Sequence, residues 1–409
     1  MRERLGVLWR GGRALGAFVL LLAGCQVFDE SLLPPKPKEM GDAGVCGKRP
    51  PDRLELQDGP SVPPVLFALR DVELEQSGDS TGIGYDLDGY CTEGTGDQGE
   101  CAPPAFVGDA APGEPLPLPR DGVDGIDNIF GEDLYPSVDL ALQISDDPAI
   151  EAIYGADGEA RSFQGVAHEN HLSGRGTLLV LLEDWNGTPN DPRVRMSTLQ
   201  AAAGTPCVDD NGTPPPVEFD DEGNLLSSVD GTPAPPPSWD GNDCWWARND
   251  AFVADNPQND ARILDDRAYV SDGTVVQSLP EGREILFFAG PVGSRVVLTD
   301  GLATAELRDD DSIRNVVVAG RWSIADLFDT GPHIGICEGA SVEDTLANLL
   351  DEVADVRRSP GPSDLSTACN AVSIGVRFDR GVGGHLVRDG EGLAEVGPSP
   401  PLPNPCDGT

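Results

Sequence analysis

The stretch Arg295-Val296-Val297-Leu298-Thr299-Asp300-Gly301-Leu302-Ala303-Thr304-Ala305-Glu306-Leu307 sets two short β-type runs on either side of an Asp-Gly pair. Asp-Gly readily adopts the positive backbone angles of a type I′ turn, so these residues read as a hairpin. Runs of the same kind recur at Val65 to Glu75, Thr177 to Leu182, Val194 to Leu199, Ala268 to Gln277, Ile285 to Phe288, Val316 to Ala319 and Val372 to Phe378. Gly, Asp, Asn and Pro separate them, and Asn186-Gly187 marks a second turn. The pattern predicts a mainly β protein.

Composition agrees. The chain has 409 residues, enough for a substantial core without help from disulfides. Its 50 Gly and 37 Pro are too many for a helical bundle. The expected fold is an antiparallel β-sandwich, jelly-roll or lectin-like, with one or two short helices and long irregular loops. A helix is predicted where Val342, Leu346, Leu349, Leu350, Val353 and Val356 recur at helical spacing, with Ser341 as N-cap. A shorter one is predicted over Arg321 to Phe328, capped by Ser323; residues 132 to 153 fit strand or helix.

Charge narrows the partners. Asp and Glu number 70 against 28 Lys and Arg, a net charge of −42, which excludes nucleic acid as a default partner.

The amino-terminal segment supplies a location. Arg2, Arg4, Arg10 and Arg13 precede an apolar run from Ala14 to Leu22, the layout of a signal peptide. The run ends Leu22-Ala23-Gly24-Cys25, which resembles the bacterial lipobox. That resemblance implies cleavage after residue 24 and a lipid on Cys25, anchoring the chain to a membrane without a spanning helix. Gln26 in place of Asp implies sorting to the outer membrane in that family. Residues 25 to 62 are rich in proline and read as a stalk, followed by one elaborated domain over 63 to 409.

Export to an oxidising compartment makes the remaining eight cysteines candidates for disulfides. Three local pairs each bracket an irregular segment: Cys91 with Cys101, Cys207 with Cys244, and Cys337 with Cys369. Cys46 with Cys406 follows only by elimination. The stretch from about 205 to 247, with two Pro-Pro-Pro runs, reads as a surface insert.

Carboxylates recur on two glycine-rich segments, Gly84-Tyr85-Asp86-Leu87-Asp88-Gly89 and Asp121-Gly122-Val123-Asp124-Gly125-Ile126-Asp127-Asn128. Oxygen donors in this density suit a hard cation, and Asp86, Asp88, Asp121, Asp124, Asp127 and Asn128 are the candidate calcium ligands. The EF-hand pattern fails, because Val123 and Ile126 stand where it needs an oxygen donor and a glycine. The alternative is acidic turns whose side chains bond their own backbone.

These two segments, the lipobox and stalk, and Val318-Ala319-Gly320-Arg321-Trp322-Ser323-Ile324-Ala325-Asp326-Leu327 are similar to large uncharacterised lipoproteins of myxobacteria. The resemblance implies an exported lipoprotein and brings no catalytic residue with it.

Catalytic patterns are weak. Gly78-Asp79-Ser80-Thr81-Gly82 matches a nucleophile elbow, but no helix pattern follows it. His168 and His171 are three apart, not four as in a zinc-protease helix. Trp239, Trp245 and Trp246 could form a glycan-binding face or pack in the core. The expected function is therefore a surface or periplasmic binding or structural module for a glycan or protein ligand. A tethered hydrolase is the alternative.

Overall fold

Both faces of the first strand are buried: Phe67 and Leu69 on one side, Leu66 and Ala68 on the other. A strand covered twice belongs inside a layered or closed sheet. The computed structural model describes residues 47–55, 59–75, 82–96, 99–107, 116–143, 151, 154, 161–289, 292–310 and 312–408. Eight of its strands build the body: β1 (Val65–Glu73), β2 (Leu178–Glu183), β3 (Asp191–Pro206), β4 (Ile263–Ser271), β5 (Thr274–Ser278), β6 (Val292–Leu307), β7 (Ser312–Ser323) and β8 (Ala371–Leu386).

Each strand pairs antiparallel with the next in chain order, and β8 returns to β1, from Leu66 opposite Gly384 to Glu73 opposite Arg377. The result is a closed eight-stranded up-and-down barrel, which corrects the expected sandwich. Alternating burial is common to both architectures. What separates them is the pairing of the first strand with the last, a contact between residues about three hundred positions apart that no local pattern encodes. Closure removes the edge strands that a sandwich must protect.

Phe67, Leu69, Val180, Met196, Val318 and Phe378 are among the residues that fill the interior as one core. The opposite face of β1 and β2, with Leu66, Ala68, Leu179 and Leu181, packs instead against Trp245. That tryptophan lies on strand Asp243–Arg248, which pairs with the carboxyl-terminal extensions of β3 and β8. A second, smaller sheet thus covers the outside of the barrel. The Cys207–Cys244 disulfide ties off the insert that leads into it, as expected.

Four α-helices are described, more than the one or two expected: α1 (Tyr135–Gln143), α2 (Phe163–Leu172), α3 (Ile324–Thr330) and α4 (Ser341–Val353). All join the interior core at the end where β1 and β7 finish and β6 and β8 begin. α3 starts after Ser323, whose hydroxyl accepts from the Asp326 amide as predicted. It begins later than expected because Arg321 and Trp322 still belong to β7. α4 has Ala340 as its N-cap residue, where Ser341 was expected, and stops at Val353, so Val356 is not helical. Among the described residues no helix is long and apolar enough to cross a membrane.

Asp300-Gly301 is not a hairpin. β6 runs through it, and the register against β7 shifts between Thr299 and Leu302 around Asp300 at φ 49°. The left-handed residue makes a bulge, not a reversal. The two-residue hairpin is Asp272-Gly273, which joins β4 to β5 with Ser271 opposite Thr274. The sequence reading ran through that point as one strand.

Candidate metal centre

Two acidic loops lie against the outer face of β7 and β8. Tyr85 anchors the first, packing on Val317 and Ala319 with its hydroxyl 2.8 Å from Thr304 Oγ1. Asn128 anchors the second. Its Nδ2 donates to the carbonyls of Ile83 and Gly375, and its Oδ1 accepts from the amides of Gly131 and Gly375. Gly375 must be glycine here, since a Cβ would stand 2.6 Å from the Ile83 carbonyl oxygen.

Between the anchors the backbone is held by the acids themselves. Asp86 Oδ1 accepts from the Gly89 amide at 2.6 Å and Asp88 Oδ1 from the Tyr90 amide at 2.7 Å. Asp127 Oδ2 accepts from the amides of Leu87 and Asp88, fastening one loop to the other. Asp121 accepts from the Thr92 amide and hydroxyl. The alternative of acidic turns bonding their own backbone is therefore real, and it accounts for roughly half of the oxygens.

The rest converge. Asp86, Asp88 and Asp127 each offer a carboxylate oxygen within 4.8 Å of the others. Two ligands on opposite sides of a calcium ion at about 2.4 Å each would lie about 4.8 Å apart, so one ion can touch all three. Asp88 and Asp127 also line a cavity of about 20 Å³ together with Asp121 and Asp355, which is room for one ion or water. The Asp86 side chain is fully buried, and its Oδ2 makes no hydrogen bond among the described residues but is paired with the Arg49 guanidinium at 3.5 Å.

Electrostatics mark the same place. Burial, then the charges of Asp121, Asp355 and Asp86, push the Asp88 carboxyl up to about 8. Burial raises Asp355 to about 7. Burial, followed by the neighbouring acids led by Asp88, raises Asp127 as well. Burial likewise raises Asp121 and Asp86, although hydrogen bonds to Thr92 and Gly89 oppose it. Carboxylates so short of compensating charge are what a bound cation relieves.

Of the six candidate ligands, Asp86, Asp88 and Asp127 come together and Asp121 lies beside them. Asp124 is exposed on its turn at φ 60°, and the Asn128 amide is occupied by the backbone. Asp355 was missed. It follows α4 and receives the Ser373 amide and hydroxyl, so its place depends on β8 and carries no local signal.

The disulfides differ from the local pairing. Cys101 bonds Cys369, and Cys337 bonds Cys406. The expected Cys91–Cys101, Cys337–Cys369 and Cys46–Cys406 pairs are thereby excluded; Cys91 is itself in a disulfide. Short loops are entropically easiest to close, but the fold places Cys101 beside Cys369 across 268 positions and Cys337 beside Cys406 across 69. Cys101–Cys369 borders the acidic cavity and ties its loops to the start of β8.

Other candidates resolve simply. Trp245 and Trp246 are buried, and the half-buried Trp239 packs tilted against Trp245 with ring centroids 5.2 Å apart, so the tryptophans pack as core. None of the four histidines is hydrogen-bonded to a Ser, Thr or Cys among the described residues: His168 faces Asp71, His333 meets the Pro403 carbonyl, and His171 is buried against Phe378. The signal segment with Cys25, Cys46, the pattern around Ser80 and residues 144–150 and 152–153 lie outside the described residues. Within the expected stalk, the Val62 amide donates to Trp185, and Tyr269 donates to the Pro51 carbonyl, so this part lies on the barrel. In comparisons with family profiles, curated proteins and solved structures, nothing matches this chain.

Proposed function

We propose that the chain is a calcium-stapled β-barrel module, held at the outer membrane of a bacterial envelope by a lipid on Cys25, with a binding or structural role. The observation that carries the calcium reading is the convergence of Asp86, Asp88 and Asp127 from two loops, one of them fully buried with an oxygen that makes no hydrogen bond. Asp121 and Asp355 complete an oxygen-only donor set suited to a hard cation. A calcium ion there would fasten both loops to β7 and β8, as a disulfide does for Cys101 and Cys369.

The envelope reading rests on the lipobox-like segment and on several disulfides, which persist in oxidising compartments. The test is thermal unfolding of the oxidised chain in excess calcium and in chelator. Calcium at a hundredfold its Kd stabilises by about 2.7 kcal/mol. Asp127→Asn and Asp88→Asn should lose that increment, and equal melting in calcium and chelator would refute the site. Cys25→Ser should release the chain from the membrane fraction.

A further inference from the structure

β5 pairs with β4 only from Tyr269 to Ser271, so the first residues of β4 keep β3 as their ladder neighbour and have an open edge on the other side. The strand Glu284–Ala289 pairs with β6 and, among the described residues, with no other strand. Between these edges lies a cavity of about 270 Å³, lined by Thr198, Gln200 and Ile263 from β3 and β4 and by Arg283, Ile285 and Leu286 from the facing segment. An engineered apolar cavity of about 150 Å³ admits benzene, and pockets for drug-sized ligands begin at about 300 Å³. The space therefore takes one small organic molecule.

Gln200 gives this cavity a fixed polar group. It is 7% exposed, and its Nε2 donates to the Leu286 carbonyl at 2.6 Å and to the Gly176 carbonyl at 3.4 Å. Two carbonyls around one end of the amide decide that this end is nitrogen, so the other end is an acceptor oxygen. That Oε1 receives no hydrogen bond among the described residues, yet it is not sealed from solvent, and Gln200 lines the cavity. The charges at the rim divide. Both oxygens of Asp250 are held by Arg248, and Glu284 accepts from Arg295 Nη1 at 3.2 Å, so the two lining acids are neutralised by arginines outside the cavity. Arg262 is likewise paired, with Asp255. The Arg283 guanidinium has no partner among the described residues. The uncompensated charge here is therefore positive, although the whole chain carries −42.

We infer that this cavity binds a small aliphatic carboxylate with a hydrogen-bond donor at its far end: the carboxylate meets Arg283, the hydrocarbon lies along Ile263, Ile285 and Leu286, and the donor meets Gln200 Oε1. Hydroxy acids belong to this class. Dicarboxylates do not, because a second anion would face the amide oxygen of Gln200 in a partly dry space. The site shares no residue with the acidic loops and needs neither calcium nor the lipid anchor.

The experiment is isothermal calorimetry of the full, oxidised chain with 6-hydroxyhexanoate, hexanoate, adipate and 1,6-hexanediol. The hydroxy acid is expected to bind saturably, and hexanoate about fivefold more weakly, the worth of one neutral hydrogen bond, with adipate weaker still. Arg283→Gln, an exposed substitution that breaks no contact among the described residues, should weaken 6-hydroxyhexanoate about tenfold and leave 1,6-hexanediol within twofold. Added salt should weaken the acid and not the diol. Gln200→Met should erase the preference for 6-hydroxyhexanoate over hexanoate, and Arg283→Gln serves alone if that variant does not fold. The inference is overturned if 6-hydroxyhexanoate gives no saturable heat, if hexanoate or adipate binds as tightly, or if Arg283→Gln keeps full affinity for the acid.

Discussion

Glu100→Gln should be among the most damaging single substitutions in the chain. Glu100 and Arg321 are each 1% exposed, so their ion pair is almost fully out of water. The carboxylate accepts from Arg321 Nη1, from the Arg357 amide at 3.1 Å and from the Gly361 amide at 2.7 Å, with Arg357 Nε at 3.6 Å. Arg321 in turn donates to the Leu87 carbonyl, between two of the proposed ligands, and to the Arg357 carbonyl. Neutralising Glu100 leaves a buried guanidinium whose nearest remaining acid, Asp300 at 3.7 Å, is half exposed. Breaking one side of a buried pair costs about 3–5 kcal/mol, whereas exchanging both members for apolar groups is often near neutral. In urea unfolding of the oxidised protein, Glu100→Gln should therefore lose about 3–5 kcal/mol. The double variant with Arg321→Met should lose clearly less than the two single losses added together. A loss below about 1 kcal/mol, or additive single effects, would refute the view that this pair holds the acidic loops on β7. Calcium affinity should fall with Glu100→Gln as well, because Leu87 loses its anchor's fixed position.

Stability should also carry a signature of His171, which is buried with neither ring nitrogen hydrogen-bonded among the described residues. Burial, then the charge of His168 and against the pull of Asp71, lowers it to about 4 from its ordinary 6.5. Below pH 6.5 the unfolded chain binds a proton that the folded one refuses, so stability falls as pH drops from 6.5 to about 4, by about 3 kcal/mol in all. His171→Leu should flatten that part of the wild-type profile, measured as the difference in unfolding free energy at pH 7 and pH 4.5; an unchanged difference would refute it. Gly204→Ala should destabilise by about 1–3 kcal/mol, since its Cβ would meet the Trp245 ring at 2.3 Å and the indole has no room to retreat. Thermal unfolding checks this, and a neutral effect would show that the second sheet is loosely packed.

How much of this was legible from residues alone divides along the range of the interactions. Strands announce themselves through alternation and turn residues, so every run from Val65 onward falls on an observed strand, but only Val65 to Glu75, Thr177 to Leu182 and Ile285 to Phe288 come within two residues of both bounds, while β3, β6 and β8 extend well beyond the runs read. The α4 stripe was equally plain, because Leu346 and Leu350 follow helical spacing and reach the core on one face. Two Asp-Gly pairs shared one local preference and met different fates. Asp272-Gly273 has Ser271 and Thr274 to pair across it and reverses the chain. Asp300-Gly301 lies where β6 continues between partners on both sides, and the same left-handed preference is spent on a bulge that brings Asp300 beside Arg321. Neighbouring strands decided between those outcomes, and they are not written in the dipeptide.

The acidic site shows the same division within a single motif. Asp86, Asp88 and Asp127 were visible because glycine-rich turns gather carboxylates locally, and such turns were also the competing explanation. The surplus separates the two readings: turns account for Asp86 Oδ1 and Asp88 Oδ1 but not for a fully buried Asp86 whose second oxygen lacks a hydrogen bond. Asp355 adds another acid from beyond α4, held by Ser373 on β8. A chain gains nothing from burying like charges together if backbone turns are their only purpose, since exposed Asp209 and Asp230 make comparable turns at its surface without that penalty. The cost is intelligible when something positive occupies the centre, and the loops then hold Asn128 against β8.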